Sequence, residues 1–410
     1  MSMRSLKSWL MPSISQFFLS RERLIALRAK AEKKRIQQKR PHTLHFFHQA
    51  DDPYSLLLAH ALPNIAQRYR IEVQTHWVGP PADSAAPERE KLIHYSQLDA
   101  LRLAKHHEIS EQALQDITED SALCTLLKVP TFSTDQARKA HVQASEILRK
   151  KWGHYSGATI YYEGEWYWGL DRLHHLEQRL EDLGAARSHS HSSKFLFPPD
   201  QYSNTSPVEA GQSIDFFFSF RSPYSAIAAP RVFQWAHEVG VSVNLRYLLP
   251  MVMRGLPVLP EKVRYISLDA AREAHVQGVP FGRINDPVGK PTERALALMP
   301  LAESLGLGQA YVKSFMHSVW AQGIDAGTDT GLQLICEHAK LPWAAAQEAL
   351  ASAQNDRLWR SVAEQNRQDL YAAGLWGVPS YQYQSTSAWG QDRFWVIEDA
   401  LNHRARAQTH

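Results

Sequence analysis

Ser222 stands where a serine can act on a bound anion. It opens the segment Ser222-Pro223-Tyr224-Ser225, between a predicted buried strand at 214–218 and a predicted helix at 225–238. The N-terminus of a helix presents unpaired N–H groups and the positive end of the helix dipole, so it favours a negative charge. The Ser222 hydroxyl could donate a hydrogen bond to such an anion. The alternative is that Ser222 only caps the helix.

The elements around this segment occur twice in the chain. Each half begins with a short apolar strand, a helix and a second strand, and the second half continues with a long helical stretch. The predicted strands are 43–47, 71–78, 214–218, 241–249 and a pair within 374–389. The predicted helices are 55–68, 225–238, several within 268–366 that include 294–305, 309–322 and 329–338, and a last one at 392–404. This order predicts an α/β fold with helices on a small sheet.

The two halves align with each other without a gap over long stretches. At an offset of 170 residues, Phe46 falls on Phe216 and Pro53-Tyr54-Ser55 falls on Pro223-Tyr224-Ser225. Near the end of each half the offset is 221, which puts Trp168-Gly169 on Trp389-Gly390. The second copy therefore has 221 − 170 = 51 additional residues in its middle. A register that stays constant over such distances indicates an internal duplication.

A second segment, Gly377-Val378-Pro379-Ser380, comes just before a predicted strand. Paired with Ser222-Pro223-x-Ser225, it resembles the thioredoxin fold, with serines where redox members have Cys-x-x-Cys. The further segments Gly278-Val279-Pro280-Phe281 and Trp389-Gly390-x-Asp392-Arg393 make the chain similar to the branch that contains kappa-class glutathione transferases and 2-hydroxychromene-2-carboxylate isomerases. The resemblance covers residues 212–404.

The resemblance implies two thioredoxin-like domains of the DsbA-like kind, each with a helical insertion that is larger in the second. The predicted boundaries are a basic N-terminal arm at 1–40, a degenerate domain at 41–185, a linker at 186–212 and a domain with the active site at 213–405.

The resemblance also implies glutathione as the cofactor, with its sulfur at the start of the helix that follows Ser222. There the helix dipole would stabilise the thiolate and lower the thiol pKa, and Ser222 would donate a hydrogen bond to it as the catalytic residue. Pro379 would be the cis-proline of the fold, and Val378 would pair with the peptide backbone of glutathione. The alternative for Pro379 is an ordinary trans-proline turn.

Three further residues are predicted to contact glutathione. In the family, the position of Asp392 contacts the amino group of the γ-glutamyl moiety, and the preceding residue is commonly serine, whereas this chain has Gln391. Asp392 as a helix cap is the alternative. Lys262 matches a family lysine near the active site that could neutralise a carboxylate, with a solvated surface lysine as the alternative. The family's Asn-Lys-Pro-Pro segment is replaced by 253–256, which contains no asparagine.

The first copy has different residues at the corresponding positions. Asp52 replaces Ser222, Asp51 precedes it, and Ala158 replaces Pro379. A carboxylate caps a helix well, but it would repel a thiolate and occupy the anion site. We therefore predict a degenerate first copy with an interface or scaffold role. Asp51 and Asp52 could form a catalytic carboxylate pair only if adjacent turn residues faced the same point.

The charge of the chain is distributed unevenly. Residues 1–40 hold 11 Lys or Arg against two Glu, a net of 11 − 2 = +9, so the remainder carries 3 − 9 = −6. The arm at 21–40 lacks Gly and Pro and predicts a helix that could contact nucleic acid or lipid. Because no aromatic residues are interleaved with the charges, we favour a solvated tail and expect no nucleic-acid partner. His189 and His191 of the linker could bind a metal, but without neighbouring ligands we expect a solvated loop and no metal site.

Composition excludes several other classes of protein. No apolar run approaches the roughly 18–20 residues that span a bilayer, and the apolar patches near the N-terminus are interrupted as in no secretory signal. The basic start is similar to an organellar transit peptide, but a cytoplasmic location is the expectation. Cys124 and Cys336 are far apart, which disfavours a disulfide framework or a dithiol centre and predicts two buried apolar side chains.

The leading hypothesis is a glutathione-dependent isomerase or transferase that acts on a small conjugated or aromatic electrophile. The alternatives are a DsbA-like thiol–disulfide oxidoreductase relative without redox cysteines and a non-catalytic binding protein. The expected assembly is either an intramolecular pseudo-dimer of the two copies or a homodimer.

Overall fold

The chain is described by a computed structural model at residues 3–115, 117–187, 193–199, 202, 211–355 and 358–408. Much of the predicted linker, with His189 and His191, lies outside these residues. The chain divides into two compact units, named here the first and the second. The first unit comprises Leu24–Pro199 and Val258–Tyr265; the second comprises Met1–Arg23, Asp200–Pro257 and Ile266–His410.

The first unit contains a four-stranded sheet. Its strands are β1 (Thr43–His48), β2 (Glu72–Trp77), β3 (Thr159–Tyr162) and β4 (Glu165–Trp168), in the order β2-β1-β3-β4. β1 is parallel to β2 and antiparallel to β3, which pairs in turn with β4. A mixed sheet of this kind needs a helical crossover between the parallel strands and a long connection before β3.

The second unit contains a sheet of the same topology. Its strands are β5 (Ser213–Phe218), β6 (Ser242–Tyr247), β7 (Ser380–Tyr383) and β8 (Thr386–Trp389), in the order β6-β5-β7-β8. Phe46 pairs with Thr75 across β1 and β2, and Phe216 pairs with Leu245 across β5 and β6. The two pairs are 170 residues apart, so the sheets share their register as well as their order.

Sixteen helices are named here, all within the described residues. They are α1 (Met3–Leu19), α2 (Arg21–Gln37), α3 (Pro53–Arg68), α4 (Glu90–His106), α5 (Ser121–Leu126), α6 (Asp135–Trp152), α7 (Leu173–Asp182), α8 (Pro223–Val239), α9 (Pro260–Val276), α10 (Lys290–Ala297), α11 (Met299–Ser304), α12 (Gly308–His317), α13 (Asp329–His338), α14 (Trp343–Asn355), α15 (Leu358–Ala372) and α16 (Trp395–Gln408).

The longer connection of the second sheet, between β6 and β7, carries α9 to α15. α13 coincides with its predicted bounds. The predicted helix 294–305 is interrupted between α10 and α11, because Pro300 at the start of α11 has no N–H to bond to the preceding turn. The prediction that a helix begins at Asp392 was wrong. α16 begins at Trp395, after a turn in which the Arg393 N–H bonds to the Gly390 carbonyl.

Each unit has its own hydrophobic core. In the first unit α3, with Leu57, Leu58 and Leu62, packs on the inner residues of β1. In the second unit α8, with Val232 and Trp235, packs on β5 and on the helical connection. These cores hold the ends of the strands in place, and the candidate site lies at those ends.

The segment predicted as a basic arm forms α1 and α2. The expectation of a solvated tail was wrong for α2. The Arg28 guanidinium binds both carboxylate oxygens of Glu165 at 2.7 and 2.8 Å, and the side chain of Arg40, just beyond the helix, pairs with Glu163. Both acidic residues belong to the β3–β4 hairpin of the first unit. The guanidinium groups in the arm are therefore partly committed to protein carboxylates.

Among the described residues, no helix is both long and apolar enough to cross a bilayer. Cys336 is buried, and burial raises the pKa of its thiol to about 12. The prediction of a buried Cys124 was wrong, since this side chain is half-buried and its thiol donates to the Ile117 carbonyl at 3.2 Å.

Candidate functional site

Ser222 is the N-terminal cap of α8. Its backbone is extended, Pro223 occupies the first helical position, and the Ser222 hydroxyl oxygen accepts a hydrogen bond from the Ser225 N–H at 3.1 Å. Proline suits this position because its fixed φ is helical and its missing N–H would be unpaired there anyway. The side chain is half-buried. The predicted cap is thus formed, and the hydroxyl remains beside the open end of the helix.

The pairing of the second sheet brings the predicted site residues to one edge. β5 and β6 are parallel and end side by side at Phe218 and Tyr247. β7 is antiparallel to β5 and begins at Ser380, opposite Phe217, while β8 ends at Trp389, opposite Ser380. The loops that hold Ser222, Val378, Pro379, Gln391 and Asp392 therefore all leave the sheet at the same edge.

Val378 and Pro379 lie directly against Ser222. The Val378–Pro379 peptide bond is cis, as the resemblance implied, and the Ser222 hydroxyl donates to the Val378 carbonyl at 3.3 Å. Pro379 is buried and Val378 half-buried. The Pro379 carbonyl accepts a hydrogen bond from the Gly390 N–H at 2.9 Å, which ties the proline loop to the loop after β8.

Gln391 and Asp392 follow Gly390 in that second loop. Gln391 is only 3% exposed, and its amide nitrogen donates to the Glu273 carboxylate at 2.8 Å and also to Asp392. Its amide oxygen accepts from Arg231 of α8 at 3.2 Å. The Gln391 side chain is therefore engaged by protein groups, whereas Asp392 is half-buried at the sheet edge.

Gly377 and Trp389 shape the proline loop, and sequence reasoning did not assign them a role there. A Cβ atom on Gly377 would lie 2.5 Å from the indole nitrogen of Trp389, so the indole packs against bare backbone at this point. The conserved spacing of the two segments between the copies does not reveal this contact, because the first copy also has glycine at 157 but meets a different side chain there, that of Gln49.

Aromatic side chains of the helical connection cover the loop before Ser222. The Trp320 indole N–H donates to the Phe220 carbonyl at 3.1 Å, and the Trp320 and Phe281 rings are stacked with centroids 5.7 Å apart. Phe281 also packs with Tyr224 of α8. Trp320 lies in a π-helical turn at Ser318–Gln322, a form of helix that often occurs at functional sites.

Lys262 belongs to the first unit in this structure, apart from the unit that contains Ser222. Its ammonium donates to the Ala85 carbonyl at 2.9 Å and lies over the Tyr155 ring. Burial lowers the pKa of Lys262 to about 8. The alternative of a solvated surface lysine was wrong, since the side chain is half-buried and bonded.

The corresponding edge of the first unit is built differently. Asp52 caps α3 by accepting from the Tyr54 N–H at 3.3 Å, and burial raises its pKa from 3.8 to about 6. Asp51 is exposed and accepts instead from the Gln49 side chain, so the two carboxylates are engaged by different partners. Ala158 has a positive φ of 52° in place of a cis-proline.

A serine links helix and loop in both units, but it is not the same serine. In the first unit the Ala158 N–H donates to the hydroxyl of Ser55, inside α3, at 2.7 Å. Pro379 has no N–H, so Ser225 cannot make the matching bond in the second unit. There the link comes from the Ser222 hydroxyl to the Val378 carbonyl. The hydroxyl that links loop and helix thereby moves from inside the helix to its open end.

Comparison with known proteins supports the assignment of the second unit. Residues 213–402 match the DSBA-like thioredoxin domain family. The chain is 24% identical to the 2-hydroxychromene-2-carboxylate isomerase of Pseudomonas putida over 206 residues, 47% of this chain and 96% of that protein. It is 25% identical to the 2-hydroxychromene-2-carboxylate isomerase of Sphingobium xenophagum over 203 residues, 46% of this chain and 98% of that protein.

Among solved structures, a 2-hydroxychromene-2-carboxylate isomerase aligns with a TM-score of 0.42 and 20% identity, over 48% of this chain and 98% of that one. The C-terminal half of the chain is therefore a DsbA-like thioredoxin-fold domain with isomerase homologues.

Proposed function

We propose that the second unit is a glutathione-dependent isomerase or transferase for a small conjugated or aromatic electrophile. One observation carries the proposal: the Ser222 hydroxyl stands at the N-terminus of α8 with its proton given to the Val378 carbonyl beside a cis-proline. In that position a single hydroxyl can serve both the helix and a ligand.

Ser222 can change its hydrogen-bond acceptor without losing its cap. The oxygen accepts from the Ser225 N–H through a lone pair, and this bond does not use the hydroxyl proton. The proton goes to Val378 over 3.3 Å, which is long for a bond between two oxygens and therefore weak. Rotation about the Cβ–Oγ bond redirects the proton to a bound thiolate at little cost.

The position of α8 supports stabilisation of a thiolate. The dipole of a helix and its first unpaired N–H groups lower the free energy of an anion held at the N-terminus. A hydrogen bond from Ser222 adds to this effect, and together they lower the pKa of the glutathione thiol. Serine cannot form a disulfide, so glutathione is the only sulfur in the proposed reaction.

The loops beside Ser222 offer partners for the rest of glutathione. The Val378 carbonyl, once released by Ser222, can accept from a peptide N–H of the tripeptide. Asp392 is the proposed partner of the γ-glutamyl amino group. We assign Gln391 to positioning, because its buried amide holds Asp392 and links it to Glu273 and Arg231.

The proposed reaction is reversible addition of the thiolate. The sulfur lone pair forms a bond to the β-carbon of a conjugated carbonyl compound, and the π electrons move to the carbonyl oxygen as an enolate. The former double bond is now single and rotates. Collapse of the enolate restores the double bond and expels the thiolate, so no oxidant or reductant is consumed. Tyr224, Phe281 and Trp320 supply apolar surface for such a substrate.

We also infer that the two halves arose by internal duplication and that the first unit is a degenerate thioredoxin-like domain. The shared strand order and the register offset of 170 residues support this inference.

Calorimetric titration with glutathione tests the cofactor, with 2-hydroxychromene-2-carboxylate as the trial substrate followed by its ultraviolet spectrum. We expect binding to the wild-type protein and weaker binding to Ser222→Ala. Thr328→Ala is a matched control, since Thr328 caps α13 of the same unit through the Gly331 N–H at 3.0 Å. No heat of binding to the wild type would refute the enzyme and favour a non-catalytic binding protein. Equal binding to Ser222→Ala would refute only the role of Ser222.

A thiol–disulfide oxidoreductase is disfavoured because Ser222 and Ser225 occupy the positions of its two thiols. Reduction of a disulfide substrate by the wild-type protein, in the presence of a thiol donor, would reverse this conclusion.

A further inference from the structure

The N-terminal helix α1 has two different faces. Its residues from 10 onward can be placed around the helix axis at about 100° per residue. Pro12, Ser15 and Leu19 then fall within a narrow arc, and their burial shows that this arc faces the protein. The opposite arc, about 120° wide, consists of large apolar side chains. A helix docked on a protein is expected to bury such side chains rather than expose them.

The narrow arc fixes α1 to the second unit. The Ser15 hydroxyl accepts from the Ile284 N–H at 2.8 Å, and Leu19 packs against the hydrophobic core. A Cβ on Gly323 would lie 2.5 Å from Pro12, so the helix approaches the backbone closely at that point. These contacts hold α1 in one orientation and determine which face is presented outward.

The outward arc is apolar along its whole described length. Its members are between 38% and 58% exposed, and the two most exposed are the phenylalanines. They are Leu10, Met11, Ile14, Phe17 and Phe18. Single exposed apolar residues are common on protein surfaces, whereas five in one arc of one helix mark an interaction surface. This set of five residues is called the α1 apolar face below.

The charges next to the α1 apolar face are positive. The Arg23 guanidinium lies 4.7 Å from the centre of the Phe17 ring and 4.6 Å from that of Phe18. The sequence has Arg4, Lys7 and Arg21 before it and no acidic residue until Glu22. Apolar side chains flanked by Lys and Arg are typical of helices that lie in the interface of an anionic lipid bilayer.

We propose that α1 docks the protein on an anionic lipid surface, with the α1 apolar face inserted among the acyl chains and the neighbouring arginines at the headgroups. Charge complementarity favours lipid over a second copy of the chain. A two-fold contact through this face would bring two sets of Arg21 and Arg23 together, and like charges repel.

Vesicle co-sedimentation of the full chain tests the proposal. The vesicles contain either phosphatidylglycerol with phosphatidylcholine or phosphatidylcholine alone. We expect binding to the anionic vesicles that weakens with added salt, and a roughly tenfold or larger loss for Phe17→Ser/Phe18→Ser. Ile147→Ser is the matched control, because Ile147 of α6 is 63% exposed but lies outside the α1 apolar face. It should bind as the wild type does.

Absence of binding to anionic vesicles, or equal binding by Phe17→Ser/Phe18→Ser, would overturn the proposal. Sedimentation velocity of the same proteins supplies a second test. A wild-type dimer that dissociates in Phe17→Ser/Phe18→Ser would assign the face to a second copy and would also overturn it. Circular dichroism of the variants should match the wild type, because both side chains are largely exposed and their replacement removes little buried surface.

Discussion

Replacing Ser222 by alanine should raise the pKa of enzyme-bound glutathione. The substitution removes two hydrogen bonds, the cap to Ser225 at 3.1 Å and the bond to Val378 at 3.3 Å. Loss of a helix cap costs about 1 kcal/mol of folding free energy, and the longer second bond adds roughly 0.5 kcal/mol. The protein should therefore stay folded, with the free energy of unfolding lower by about 1.5 kcal/mol.

The effect on the thiol is larger than the effect on the fold. A hydrogen bond to a charged group contributes about 1.5–3 kcal/mol, which corresponds to roughly one to two pH units in the thiol pKa. Glutathione bound to Ser222→Ala should ionise at a pH higher by that amount than glutathione bound to the wild type. The dipole of α8 is unchanged, so the thiol pKa should remain below that of free glutathione.

The assay is a pH titration of thiolate ultraviolet absorbance at saturating protein, with urea unfolding of the same samples. Thr328→Ala separates the two effects, because it removes an N-cap of the same unit and leaves Ser222 in place. Its unfolding free energy should fall by about 1 kcal/mol while the thiol pKa stays at the wild-type value. An equal thiol pKa in wild type and Ser222→Ala, or an equal shift in both variants, would refute the proposed hydrogen bond to sulfur.

Three further changes test the surroundings of the site. Asp52→Asn should stabilise the protein above pH 6: burial raises the pKa of Asp52 to about 6, so the contribution of this carboxyl is present below about pH 4 and lost as the pH rises through 6. Urea unfolding from pH 4 to 8 should show a smaller loss with rising pH than in the wild type. Gly377→Ala places a Cβ 2.5 Å from the Trp389 indole. It should cost about 1–3 kcal/mol of stability and shift tryptophan fluorescence; unchanged fluorescence and stability would contradict the packing. Gln391→Ala removes a buried amide that bonds two charged side chains, and should cost about 1–3 kcal/mol by urea unfolding. A cost near zero would show that these charges do not depend on the amide.

Local sequence was sufficient to predict much of the second unit. The strand β5, the Ser222 cap with its proline, and the strand pair after Pro379 follow from short-range patterns of apolar residues, proline and cap residues, which act within a few residues of themselves. Helix ends were less predictable. The last helix starts at Trp395 because the Arg393 N–H bonds back to Gly390, a choice between two turns that differ little in free energy.

The sequence by itself determined which residues could act at the site and that they occur in one half of the chain. Only the tertiary structure decided what they touch. Ser222 and Val378 are 156 residues apart, and their hydrogen bond depends on how β7 pairs with β5. Gln391 turns toward Arg231, and α1 turns its apolar residues outward, because packing around them left those orientations. Short-range patterns encode elements, whereas contacts between distant residues are decided by the packing of the whole unit.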